Sequence, residues 1–210
     1  MWKKKAACIL AVMALCGTMA ASAANYTILE KADKVETTVY GTTQTGSLND
    51  RIAALDKLLN GQSTVSGSLQ DKTNALYKDV YGNSGSDLSL LTAVNLMQWQ
   101  YSGQITDEPL LVRVESLEQS IDGKTLSGSL EGRVLSLRQA LLGNKKYVSQ
   151  TVTIPANTLV TMTNIDALNS KTIQEGDVVR FAVADDVCVG DVIAIPRGME
   201  ATGTVTKARK

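Results

Sequence analysis

Glycine recurs at Gly41, Gly61, Gly82, Gly103, Gly123 and Gly143, dividing the first two thirds of the chain into units of 20 or 21 residues that close on the same signal. A fixed period of that length restricts the chain to a repeat array, in which each unit is stabilised by its neighbours and none holds a core alone. Aligned on the glycines, the units share four apolar columns. Thirteen residues before each glycine stand Ile28, Leu48, Leu69, Leu90, Leu110 and Leu130; nine before stand Ala32, Ile52, Thr73, Val94, Val114 and Val134. Six before are Val35, Leu55, Leu76, Met97, Leu117 and Leu137; two before are Val39, Leu59, Val80, Tyr101, Ile121 and Leu141. The steps of 4, 3 and 4 between columns place all four side chains on one stripe of an α-helix.

The ends of each unit agree with its middle. Thr27, Ser47, Ser68, Ser89 and Ser129 precede the first column, where a hydroxyl caps the unpaired amides of a helix start, and Pro109 fills the same place once. The closing glycine supplies the left-handed conformation that commonly stops a helix. Helices this short are marginal alone because nucleation is costly, so the stripes are buried against one another or against a second chain. A fifth column bears on that choice. Lys31, Arg51, Lys72, Arg113 and Arg133 lie ten residues before their glycines. If the stripe supplies the a and d positions of a coiled-coil heptad, this column is g, with Glu36, Asp56 and Glu118 at e, and opposite charges then join neighbouring helices. The other reading is a solvated flank that contributes little. Arg51, Lys72, Arg113 and Arg133 are accordingly candidate interaction residues, for self-association or for a protein partner.

The fourth unit departs from the template. No charged residue occurs from 88 to 106, Ala93 replaces the basic column, and Met97, Trp99 and Tyr101 gather near the helix end. Such a group is either an aromatic anchor for a partner or part of the unit that its neighbours bury best. Beyond Gly143 the period changes to 2. After a linker over 144–150, runs at 151–154, 159–163, 178–183, 187–195 and 201–207 are rich in β-branched residues, with turns at Gly176-Asp177 and Gly190-Asp191. The expected fold class is α+β: about six short helices over 25–143, then a small antiparallel β-domain over 151–210.

Little in the composition points to catalysis. The chain has no histidine, the usual proton shuttle and commonest metal ligand. Asp185, Asp186 and Asp191 lack the glycine-spaced loop of a calcium site and read as turn residues. Ser170 and Lys171 are adjacent, which does not give a serine–lysine pair its geometry. The expectation is a non-catalytic protein without cofactor or metal, a hydrolase being the remaining alternative. Lys3, Lys4 and Lys5 precede an apolar run over 6–20, with small residues at Ala21, Ser22 and Ala23, the pattern of a secretory signal cleaved after Ala23 or Ala24. Leu15 stands where a lipoprotein signal has a small residue before its cysteine, which argues against lipidation of Cys16. Cleavage leaves Cys188 alone, expected to be buried and inert, with intermolecular pairing as the alternative. Loss of the three lysines leaves 18 basic against 21 acidic residues, a net charge near −3 with no case for nucleic acid. An exported location in the periplasm or cell envelope follows, with no integral membrane segment once the signal is removed.

Two stretches carry resemblances. VYGTTQTGSLNDRIAALDKLLNG is similar to the Tyr-Gly/Gly-Ser-Leu helical repeats of exported proteins in diderm Firmicutes. IPANTLVTMTNIDALNSKTIQEGDVVRFAVADDVCVGDVIAIPRGMEATGTV resembles an I-P-x-G β-module of exported bacterial proteins and, more distantly, the periplasmic domain of conjugation and type IV secretion scaffold proteins. Asn157 stands where that module's first turn has glycine, and asparagine tolerates positive φ. Such modules usually continue through another hairpin, so the expectation is either an open edge paired by another chain or a truncated sequence. The resemblances imply an envelope structural or interaction protein or, alternatively, an accessory subunit of a secretion apparatus; neither implies a reaction.

Overall fold

The computed structural model describes residues 26–61, 66–84, 87–106, 108–169 and 172–207. The segment expected to be a secretory signal and the Ser170-Lys171 pair lie outside them. Six helices of equal length follow one another: α1 (Ile28–Tyr40), α2 (Leu48–Asn60), α3 (Leu69–Tyr81), α4 (Leu90–Ser102), α5 (Leu110–Asp122) and α6 (Leu130–Leu142). Each begins at the expected cap. The hydroxyls of Thr27, Ser47, Ser68, Ser89 and Ser129 accept from the amide three residues on, and Pro109 starts α5 without a side-chain cap.

The helices form two layers of three. Within the first, α1, α2 and α3 all touch one another, and within the second α4, α5 and α6 do the same. Between layers the contacts pair α1 with α5, α2 with α6 and α3 with α4. These are end-to-start contacts. A Cβ placed on Gly41, at the end of α1, would lie 2.7 Å from Pro109 Cγ at the start of α5, and one on Gly61, at the end of α2, 3.2 Å from Ser129 Cβ at the start of α6. At the third pairing, Asn83 just beyond α3 accepts from the Ser89 amide at the start of α4. Three C-terminal ends therefore meet three N-terminal starts, which requires the helices of each layer to run parallel. Cross-links between α1 and α3 agree: Lys31 Nζ donates to Asn74 Oδ1 at 2.6 Å and Thr38 Oγ1 meets Tyr81 Oη at 2.5 Å, early with early and late with late.

Burial follows from the stacking. The second and third apolar columns are buried in all six helices. The first column is buried only in the second layer, at Leu90, Leu110 and Leu130, and the last only in the first layer, at Val39, Leu59 and Val80. Both sets face the junction between layers. Parallel neighbours need a linker that runs back the length of a helix, about 20 Å for 13 residues, within the reach of the seven residues 41–47. Left-handed glycine starts the reversal, at φ +86° in Gly41, whereas Gly82 has φ −85°. The chain after α3 does not turn back. It makes a tight turn at Ser84 and Asp87 and enters the second layer.

The β-domain has its own small core of Val179, Val183, Val187, Val192, Ile193 and Ala194. Strands β1 (Met162–Asn164), β2 (Val178–Val183) and β5 (Glu200–Thr204) form an antiparallel sheet in the order β1-β2-β5. Strands β3 (Val187–Val189) and β4 (Val192–Ile195) form a separate hairpin, so the run expected over 187–195 is divided by a turn at Gly190 and Asp191. The run expected at 151–154 forms no strand, because nothing among the described residues pairs with it, although the turn that follows is made, with Asn157 at φ +65°. Cys188 is exposed on β3, contrary to its expected burial, because the buried side chains of that hairpin are Val187 and the run 192–194.

Candidate functional site

The basic column points inward and is used within the chain. Arg51 in α2 donates through Nε to Glu36 Oε1 at 2.9 Å and through Nη2 to Glu36 Oε2 at 2.6 Å, both on α1. Arg133 in α6 forms the same fork on Glu118 of α5, at 2.8 and 2.7 Å. Arg113 in α5 reaches Gln98 Oε1 of α4 at 2.8 Å. All three span 15 residues, the step from a g position to the e position of the preceding parallel helix. A second bond spans 18 residues, from Arg51 to Asp33 and from Arg113 to Asn95.

Each acceptor also holds the returning linker. Glu36 accepts from the Gln44 amide at 2.8 Å, Glu118 from the Leu126 amide at 3.0 Å, and Gln98 from the Thr106 amide at 3.4 Å. One buried side chain thus fastens its own helix, the linker and the next helix. Glu36 and Glu118 are fully buried, a position that carboxylates occupy only when paired. Burial raises the Glu118 pKa, but the Arg133 bond, the Leu126 amide and the Arg133 charge outweigh it and hold the carboxyl below its ordinary value. The Glu118 bond also raises the Arg133 pKa. Arg51, Arg113 and Arg133 are therefore occupied as clasps between helices of one chain, since the repeat geometry points them at the previous helix. Lys72 stays half-exposed and makes no salt bridge among the described residues.

The aromatic group of α4 is divided. Met97 is wholly buried in the array and so offers no surface to a partner. Tyr101 is 52 % exposed, and Trp99 is half-buried at the seam with the β-domain. There Trp99 Nε1 donates to Asp186 Oδ1 at 3.1 Å, and the same oxygen accepts from the Arg197 amide at 2.7 Å. Arg197 Nε donates to the Gly103 carbonyl at the end of α4 at 2.6 Å, and Met199 packs on the helical core. Gly198 leaves no room for a side chain, its Cβ position lying 2.6 Å from the Ile105 carbonyl oxygen. Asp186 and Arg197 were not legible as a pair with α4, because 87 residues separate Asp186 from Trp99 and 94 separate Arg197 from Gly103. No family model, curated protein or solved structure matches the chain.

A shallow groove of about 250 Å³ is lined by Asp33, Lys34, Thr37, Thr38 and Tyr81. Among the described residues no group of three or more metal-capable side chains converges, and no helix is long and apolar enough to cross a membrane.

Proposed function

We propose that the chain is an exported cell-envelope structural or interaction protein, non-catalytic, in which the helical array is a rigid arm that carries and presents the β-domain. The observation that carries this reading is the distribution of exposed apolar side chains. Of eleven large hydrophobic residues exposed among the described residues, seven lie between 148 and 178, on or beside the β-domain. A surface of that kind marks an interaction site more often than a reaction site. The array complements it: four of its five buried charged side chains, Glu36, Arg113, Glu118 and Arg133, are held in clasps between helices, a use that gives rigidity. The experiment is fractionation of the native host with mass determination of the protein's N-terminus. A protein beginning at Ala24 or Asn25 in the envelope fraction is expected; a cytoplasmic protein retaining Met1 to Ala23 defeats the reading.

A second reading makes the chain an accessory subunit of a conjugation or type IV secretion-like apparatus. The open edges on both sides of the β1-β2-β5 sheet favour it, since an edge strand is a template for assembly. Closed rings of the purified protein in electron micrographs are the expected sign.

A further inference from the structure

Residues 151–154, read as a strand run, and the three residues before them have no strand partner among the described residues. Val148, Val152 and Ile154 alternate with Ser149, Thr151 and Thr153, the period that sends successive side chains to opposite faces of a sheet. Among the described residues none of the seven has a backbone hydrogen bond. The segment is held at both ends. Tyr147, 4 % exposed, is buried in the helical core, and a turn closes at the far end where the Thr158 amide donates to the Pro155 carbonyl at 3.2 Å.

Across that turn lies an edge with the complementary deficit. Strand β1 pairs with β2 on one side only. Its surroundings are exposed and apolar, with Leu159 at 93 %, Met162 at 45 % and Ile165 at 41 %. The stretch 159–165 is seven residues long, as is 148–154. Natural edges are usually blunted by charge or by covering. Here the eighteen residues 148–165 contain no charged side chain, and Pro155 sits in the turn between the two stretches, not within either. Within one chain the hairpin that would join them is left open.

We propose that residues 148–154 of one molecule add as a strand to the β1 edge of a second copy, and that the exchange is reciprocal about a two-fold axis. Each chain carries both the unpaired segment and the unpaired edge, so a second copy satisfies both deficits at once. Neither the added segment nor the accepting edge carries a charge, so no like-charge repulsion opposes their pairing. Each β1-β2-β5 sheet gains a fourth strand from the other molecule, beside Met162 and its neighbours. This rests on the reading of the molecule as an interaction protein and names the partner.

The test is sedimentation velocity and light scattering of the mature full-length chain over a roughly hundredfold concentration range centred on micromolar values. A reversible monomer–dimer equilibrium is expected, with slow hydrogen exchange at amides 149–153 in the dimer only. Val152→Pro removes a ladder donor where the monomer makes no bond, and so weakens the dimer roughly tenfold or more while leaving the thermal midpoint of the helices unchanged. Met162→Lys places a charge on the accepting edge with the same effect. A wild-type chain that stays monomeric throughout overturns the proposal, including the case in which a foreign protein occupies the edge. So does a dimer indifferent to both substitutions. Either failure leaves the envelope reading to be judged by fractionation and the N-terminal mass.

Discussion

Arg133 and Glu118 show what the clasps contribute at the scale of single residues. Both are buried, with Glu118 inaccessible and Arg133 7 % exposed, so removing one partner leaves a charge without compensation in a dry environment. Arg133→Ala is expected to destabilise the fold by about 3–5 kcal/mol in urea denaturation. The double replacement Glu118→Leu with Arg133→Met should recover most of that loss, because no unpaired charge remains. A single variant within about 1 kcal/mol of wild type would show the pair to be solvated in solution, as exposed ion pairs are. The Glu118 carboxyl is held below its ordinary value, so its contribution is present above the unfolded glutamate pKa and is lost as pH falls through the lower folded value. Stability should therefore decline below about pH 4.3, and Glu118→Gln should flatten that part of the profile. Thermal midpoints measured from pH 7 to pH 3 on both chains decide it.

At the scale of helices and linkers, the informative place is the passage from α3 to α4. Its linker is as long as that from α2 to α3, eight residues in each case, 82–89 and 61–68, yet it leads forward into a new layer. The clasp is absent there. Tyr77 occupies the e position of α3 and Ala93 the g position of α4, where the α1–α2 junction has Glu36 with Arg51 and the α5–α6 junction Glu118 with Arg133. The α2–α3 junction, with Asp56 and Lys72 at these positions, keeps the charges without a salt bridge from Lys72 among the described residues. Restoring the consensus with Tyr77→Glu and Ala93→Arg should therefore weaken the protein. Ala93 is 3 % exposed, and overpacking such a site costs about 1–3 kcal/mol before the buried charge is counted. A gain in stability would mean that α4 follows α3 as α2 follows α1, and the two-layer arrangement would be wrong. The helices, their caps and their stripe were legible because each is a local matter of 3.6 periodicity and hydroxyl placement. The loss of the basic column at Ala93 was legible as well, but its cause was not: whether a linker turns back or goes forward depends on the backbone at Gly82, which carries the same glycine as the other five units.

Across the whole molecule, the seam between arm and β-domain depends on Asp186, whose single oxygen serves both Trp99 and the Arg197 amide. Asp186→Ala is expected to raise hydrogen exchange across 178–204 while exchange within α1 to α3 stays as in wild type, at a cost of about 1–3 kcal/mol to the seam. Uniform change along the chain would show that the two parts unfold as one. The sequence contained the seam only as a charge-free helix with aromatic residues at its end, a pattern equally suited to an external partner; burial of Met97 and the bond from Trp99 turn it toward the molecule's own β-domain. The strands were less legible than the helices because strand formation depends on a partner, and 151–154 has the composition without one. The parallel course of the helices also gives the arm an electrical direction. Peptide dipoles that cancel in an up-and-down bundle here add, leaving about half an elementary charge per helix end, positive where α1 to α3 begin and negative where α4 to α6 finish. Glu30, Asp50 and Asp71 sit in the first turns at the positive pole, while the last turns of α4, α5 and α6 carry no basic residue. At the end of α4 the cation that meets the negative pole is Arg197, supplied by the β-domain.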